Sequence, residues 1–444
     1  MENKNNPIKE ITEPFVALIH SPRELWGVNI SYFFEGLCYF GILTLLAIYF
    51  NKHVELNDQQ AGWIVGAFTG GITLAMFFLG EMADRVGVKK ALIISLGMMV
   101  IGRLILSNSN IFGSTGMWSG RFFAAVTGLF FVVIGYGMYQ PAAYSAVRKY
   151  TSEKSAAVGY AMLYAVMNLG GFLPGIISPP VRHRFGILGV YKVYTLITFV
   201  GLLIILILLR NFKNESDIDS KNFENQVREE KKKNFKQWLI EHPLRDSRFA
   251  FFIFILIPVQ TLFAHQWLTL PQYVYRAYPG FVSRNMEFFV NLNPILIFIL
   301  APFIASITSR VNIYKMMIIG TSVMALPTFL LALGTNVIFL ISYILLMSIG
   351  EAMWQPRFLQ VIAELAPEGK TGQYMGIGQF PWFLTKLITS LYSGYFLSKY
   401  CPEVGAKNTQ MLWFIYGCIA TVSPIALILA GRWMGDRLEK KSNG

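Results

Sequence analysis

Charge is what this chain has least of. Only 14% of its 444 residues are Asp, Glu, Lys or Arg, where soluble proteins average roughly 25%. Cysteine is almost as scarce. Cys38, Cys401 and Cys418 lie far apart, with no metal-ligand spacing and no disulfide framework. There is no phosphate loop, paired-histidine metal motif or nucleophile elbow. These absences argue against an intramembrane enzyme and predict neither cofactor nor metal. The opening MENKNNPIKEITEPFVALIH has no apolar core leading to a small-residue cleavage site. No cleaved leader is therefore expected, and the first membrane helix should serve as the insertion signal.

Apolar sequence takes the place of charge. Hydrophobic residues make up 54% of the chain and mean hydropathy is +0.47. Runs near the 20 residues needed to cross a bilayer recur throughout, at 27–50, 59–80, 91–108, 120–146, 155–180, 189–210, 249–273, 287–308, 314–334, 336–362, 372–398 and 410–434. Twelve spans are predicted, which makes the chain an all-α polytopic membrane protein. A soluble protein with buried helices would leave long runs without polar faces unexplained. The most charged stretch, within 211–248, divides the spans into a first bundle over 27–210 and a second over 249–434. It reads as a cytoplasmic linker carrying a short surface helix near 234–241. Residues 1–26 and 435–444 are expected to be cytoplasmic ends.

The net charge of +13 does not point to nucleic acid, because the basic residues occupy short segments between spans, where topology rules place them. Arg85, Lys89 and Lys90, then Arg148, Lys149 and Lys154, then Arg310 and Lys315 fall on one side, with Lys231–Lys233 and the tail. That side is read as the cytoplasm, with both termini inside, in a membrane expected to be the bacterial inner one. Arg182, His183 and Arg184 disagree but are outnumbered.

Two segments echo each other. YGMYQPAAYSAV (136–147) in span four and GEAMWQPRFLQV (350–361) in span ten share a Met-aromatic-Gln-Pro core at the same place in each six-span half. GEMADRVGVKK (80–90), between spans two and three, resembles the signature loop of the major facilitator superfamily. A degenerate copy, PFIASITSRVNIYK, follows at 302–315. The resemblance implies two six-helix pseudo-symmetric halves, a substrate site near mid-membrane between them, a monomer, and a gating role for Gly80, Asp84, Arg85, Gly87, Lys89 and Lys90.

Within the superfamily the chain is most similar to the proton-dependent oligopeptide transporters. The similarity is carried by LYAVMNLGGFLPG (163–175), EGLCYFG (35–41), IVGAFT (64–69) and GEAMWQPRFLQVIAELAP (350–367). It implies that Tyr164 and Asn168 touch substrate, that Glu35 handles the coupling proton, and that Glu351 meets a substrate amino group. The departures are equally specific. The family's span-one Glu-x-x-Glu-Arg here reads Tyr32-Phe-Phe-Glu35-Gly36, its span-four lysine is Gln140, and its span-seven acid is His265.

Ionisable groups inside spans are costly and by default mark a pathway or coupling site. Glu35 shares a helical face with Tyr32 and Tyr39, so it is either a proton carrier or a carboxyl satisfied by hydroxyls. Glu351 shares a face with Trp354 and Gln355 and is either a cavity group or half of an ion pair. Lys386 in span eleven is its obvious basic partner. His265 titrates near neutrality and is either a coupling group or a packed imidazole. Arg103 and Arg357 lie nearer span ends, where snorkelling or pairing accounts for them. Gln140 and Gln355 each precede a proline that frees a backbone carbonyl.

Together these residues predict a proton-coupled symporter of a small polar, peptide-like solute. Tyr32, Tyr39, Gln140, Tyr164, Asn168, Glu351, Trp354, Gln355 and Lys386 are the expected substrate contacts, and Glu35, His265 and Glu351 the proton-handling groups. The expected partners are the solute, protons and lipid. Transport of an amine, nucleoside-like or sugar-like solute or an organic anion remains open, as does a non-transporting sensor on the same scaffold.

Overall fold

The computed structural model describes residues 22–79, 86–150, 153–209, 243–308, 311–366, 374, 377–378 and 380–434. Among them the chain is helical, with no strand. A bilayer offers backbone groups no partner, so each segment satisfies its own hydrogen bonds as a helix. Among the described residues nine segments are long and apolar enough to cross a membrane. One of these, Met162–Leu208, holds spans five and six on either side of a break. At that break Gly186 adopts φ 68°, a left-handed conformation that glycine tolerates without a Cβ clash. With the shorter apolar Met286–Ala301 and the helix Phe380–Tyr400 that carries Lys386, the helices are consistent with the twelve runs.

The chain divides into two compact units, Met1–Ile42 with Gly71–Arg228, and Leu43–Gly70 with Glu229–Gly444. The second unit thus takes in the end of span one and the start of span two. The predicted surface helix, Gly80, Asp84, Arg85 and most of the linker lie outside the described residues.

The first unit is built on α1 (Arg23–Lys52, shared with the second), the end of α2 (Asp58–Leu79), α3 (Val88–Ser107), α4 (Gly120–Tyr150), α5 (Glu153–Phe172) and α6 (Pro174–Leu208). Helix α3 packs along both α4 and α6. Of the expected gating residues, Gly87 sits just before α3 at φ 86°, and Lys89 and Lys90 begin that helix.

The second unit comprises α7 (Ser247–Ile255), α8 (Ile257–Leu268), α9 (Leu270–Ala277), α10 (Gly280–Arg284), α11 (Met286–Val290), α12 (Leu292–Ile307), α13 (Ile313–Ala325), α14 (Thr328–Ala332), α15 (Val337–Leu365), α16 (Phe380–Tyr400) and α17 (Thr409–Leu429). Side chains of Asp246, Asn312, Asn336 and Asn408 accept from the first-turn amides of α7, α13, α15 and α17, supplying partners that a helix start otherwise lacks. Span seven is segmented because Pro258 and Pro271 each open a new helix. By contrast α4 and α15 run on through Pro141 and Pro356. Helix α15 packs on α12 and α13, and α16 packs on α8.

Candidate functional site

In the first unit Glu35 is almost wholly buried, and so is its partner. Arg103 of α3 grips the carboxylate with two guanidinium nitrogens, Nη1 reaching Oε2 at 2.8 Å and Nη2 reaching Oε1. Nη1 also donates to the Thr198 hydroxyl of α6. Both side chains are 1% exposed. A fork-to-fork arrangement of this kind is the strongest form of charged hydrogen bond. It means that Arg103 does not snorkel. The resembled family's span-one motif carries its own arginine; here Glu35 takes one from span three.

Tyrosines surround this pair. Tyr32 stacks on Tyr139 with ring centroids 5.9 Å apart and meets Tyr144 edge-on. Its hydroxyl interacts with Gln140, so two of the expected substrate contacts come together. Tyr39 stacks on Tyr136 at 4.8 Å, and Ser31 shares a 2.7 Å hydrogen bond with the Tyr139 hydroxyl. On α5, Asn168 Nδ2 donates to the Tyr164 carbonyl at 2.9 Å. The Tyr164 side chain is 43% exposed.

The second unit treats its carboxylate differently. Glu351 is 7% exposed on α15 and accepts from Asn293 Nδ2 of α12 at 2.8 Å. The same nitrogen reaches the Ser348 hydroxyl at 3.0 Å. Among the described residues no basic side chain pairs with Glu351, so the expected Lys386 pair is not formed. The reason is the packing order. Spans ten and eleven are consecutive in sequence, yet α15 lies along α12 and α13 while α16 lies along α8. Gly350 promotes that choice, since a Cβ there would collide with the Met324 backbone nitrogen on α13.

His265 is buried on α8, stacked on Tyr416 with centroids 3.7 Å apart. Its Nδ1 lies 2.9 Å from the Thr269 hydroxyl and its Nε2 lies 3.2 Å from the Tyr392 hydroxyl. Nearby on the same helix pair, Thr385 donates to Gln260 Oε1 at 3.1 Å, next to half-buried Lys386. Trp354 is fully buried. It stacks parallel to Trp382, lies beside Phe263, and donates its indole N–H to Met324. Gln355 is half-buried. Arg357 donates to Gln360 and to the Thr308 carbonyl, which ties the end of α12 to α15.

A further cluster went unnoticed in the sequence. Arg276 of α9 grips Asp58 at the start of α2 through two bonds of 2.7 and 2.6 Å and also donates to the Cys401 carbonyl. Lys52 pairs with Glu403 at 3.1 Å and donates to the Tyr275 hydroxyl at 2.7 Å. Deeper in, Asn291 Nδ2 reaches Thr44 at 3.3 Å. These contacts gather the α1–α2 corner into the second unit. Asn293 is equally inconspicuous in the sequence. The only signal available was an amide in the otherwise apolar run NPILIFILAPF, and amides in spans are less conspicuous than charges.

Helical units of this length, with carboxylates buried at mid-span, define a polytopic membrane carrier. Comparison with known proteins fixes the family. The model of the Major Facilitator Superfamily matches residues 28–390, and the chain belongs to that superfamily. Among curated proteins it is 22% identical to the Dipeptide and tripeptide permease B of Yersinia enterocolitica, over 93% of this chain and 94% of that one. Among solved structures it resembles a peptide transporter POT in complex with sulfate, with a TM-score of 0.74 and 16% identity over 94% of this chain and 96% of that one. A POT family transporter in complex with 5-aminolevulinic acid has a TM-score of 0.70 and 18% identity over 93% and 97%.

Proposed function

We propose that the chain is a secondary active transporter that couples proton entry to uptake of short peptides and of amino compounds of similar size. The observation that carries this reading is Glu351, a carboxylate buried in a membrane helix whose partner is the neutral amide of Asn293. Such a group can take a proton or receive an ammonium without first breaking an ion pair, and ionisable groups in spans mark transport pathways. The peptide permeases among its relatives support the substrate class. The relative that holds 5-aminolevulinic acid extends that class to other molecules with an amino group and a carboxylate.

In this reading the proton-handling role falls to Glu351, because Glu35 is already neutralised by Arg103 and both nitrogens of His265 rest on hydroxyls. Tyr32, Tyr39, Gln140, Tyr164 and Asn168 supply neutral polar contacts in the first unit; in the second, Gln355 supplies a neutral contact and Lys386 a basic one. The loop from Gly80 to Lys90 and the Asp58–Arg276 grip act in gating, and release of that grip accompanies opening on the side away from the loop. The protein works as a monomer in the cytoplasmic membrane with both termini inside, an orientation supported by its basic loops.

The test is uptake of labelled dipeptides, tripeptides and 5-aminolevulinic acid into proteoliposomes under an inward proton gradient. Uptake by the unmodified protein and its loss in Glu351→Gln is the expected result. Gradient-independent uptake would remove the proton coupling, and no uptake of any of the three by correctly inserted protein would remove the substrate class.

A further inference from the structure

In the first unit α3 and α6 leave a groove of about 440 Å³ along their outer faces. Its floor is apolar, formed by Val100, Leu104, Leu196 and Phe199, and one end is polar, with Asn108 and Lys192. The two helices run in opposite directions, so Asn108 closing α3 and Lys192, six residues past the Gly186 break within α6, come to the same end. That end is opposite the one where α3 begins at Val88. Leu104, Leu196 and Phe199 are 48%, 61% and 44% exposed, and Lys192 is exposed. Lys192 makes no hydrogen bond or ion pair with any described residue. A lone cation at the head of an apolar trough is not needed for packing.

We propose that this groove binds one anionic phospholipid, its acyl chain on the apolar floor and its phosphate on Lys192. The dimensions agree. From Lys192 to Phe199 is seven residues, about 10 Å of helix, within the roughly 15 Å depth of one hydrocarbon leaflet. Lys192 therefore lies at headgroup level with its methylenes along the groove, the usual posture of a lysine near the start of a span. A second copy of the chain would have to bury the Lys192 ammonium at a helix contact with no carboxylate partner from this face, which disfavours that occupant. Charge decides the headgroup: a lysine without a carboxylate partner selects a net anionic lipid over a zwitterionic one.

The test uses full-length protein in detergent, titrated with phosphatidylglycerol or phosphatidylcholine and read by native mass spectrometry. One tightly held lipid is expected, with phosphatidylglycerol preferred about fivefold. Lys192→Gln should bring the two lipids level, and Leu196→Trp, which fills the floor, should weaken both. Equal retention of the two lipids by the unmodified protein overturns the proposal, and so does an undiminished preference in Lys192→Gln. Displacement of the lipid by glycerol 3-phosphate would make this a simple anion site, and a dimeric mass would assign the face to a second copy. Neither of those readouts needs a variant.

Discussion

Glu35 and Glu351 are the same residue type, each buried in a membrane helix, and the fold has given them opposite surroundings. Glu35 meets a guanidinium through two parallel bonds and a hydroxyl braces that guanidinium. Glu351 meets an amide. A carboxylate gripped by arginine serves as a tie between α1, α3 and α6. One that rests on an amide has room to change protonation state or accept a cation. The lesson is that burial alone does not identify a coupling group, because the partner decides what the group can do.

The comparison breaks most visibly if Glu35 is neutralised. Glu35→Gln leaves Arg103 charged and without a carboxylate, which costs about 3–5 kcal/mol. A large drop in thermal unfolding temperature and in the yield of folded protein is expected. The double variant Glu35→Gln/Arg103→Met should regain most of that loss, because neither partner is left unpaired. Failure of the double variant to recover would mean that the pair does more than tie helices together.

Glu351→Gln is the contrasting case. The glutamine can still accept from Asn293, so its unfolding temperature should stay within a few degrees of the unmodified protein while gradient-driven uptake falls at least tenfold. If instead it unfolds as readily as Glu35→Gln, the two carboxylates are alike and the contrast collapses.

Smaller effects belong to the α1–α2 corner. Arg276→Gln removes a bidentate grip whose side chains are 3% and 10% exposed, and a loss of about 1–3 kcal/mol is expected, read as a lower melting temperature together with a changed uptake rate. Lys52→Gln removes an exposed pair with Glu403 and should cost no more than about 1 kcal/mol. Equal effects at the two positions would show that burial does not rank these contacts.

Much of this was legible in the residues. Uninterrupted apolar runs must become helices in a bilayer, so the all-α class followed from composition and length. The Gly-Glu and Asn-Leu-Gly segments carried the likeness to peptide transporters. Partners were harder to read. By sequence Arg103 lies near a span end, and only the packing of α3 against α6 shows that it turns inward to Glu35. Consecutive spans suggest pairing Lys386 with Glu351, but α16 packs elsewhere. Trp354 shares a helix face with Glu351 by its spacing, yet it closes an aromatic cluster with Trp382 and Phe263.

The chain by itself determined its medium, its helices and the positions where charge had to enter the membrane, because the bilayer acts on each segment alone through hydropathy and backbone hydrogen bonding. Which helix lies against which was decided only in the tertiary structure. Close approach at residues such as Gly350, and the order in which consecutive spans find their neighbours, depend on shape across distant parts of the chain. That order gave Glu35 an arginine and Glu351 an amide.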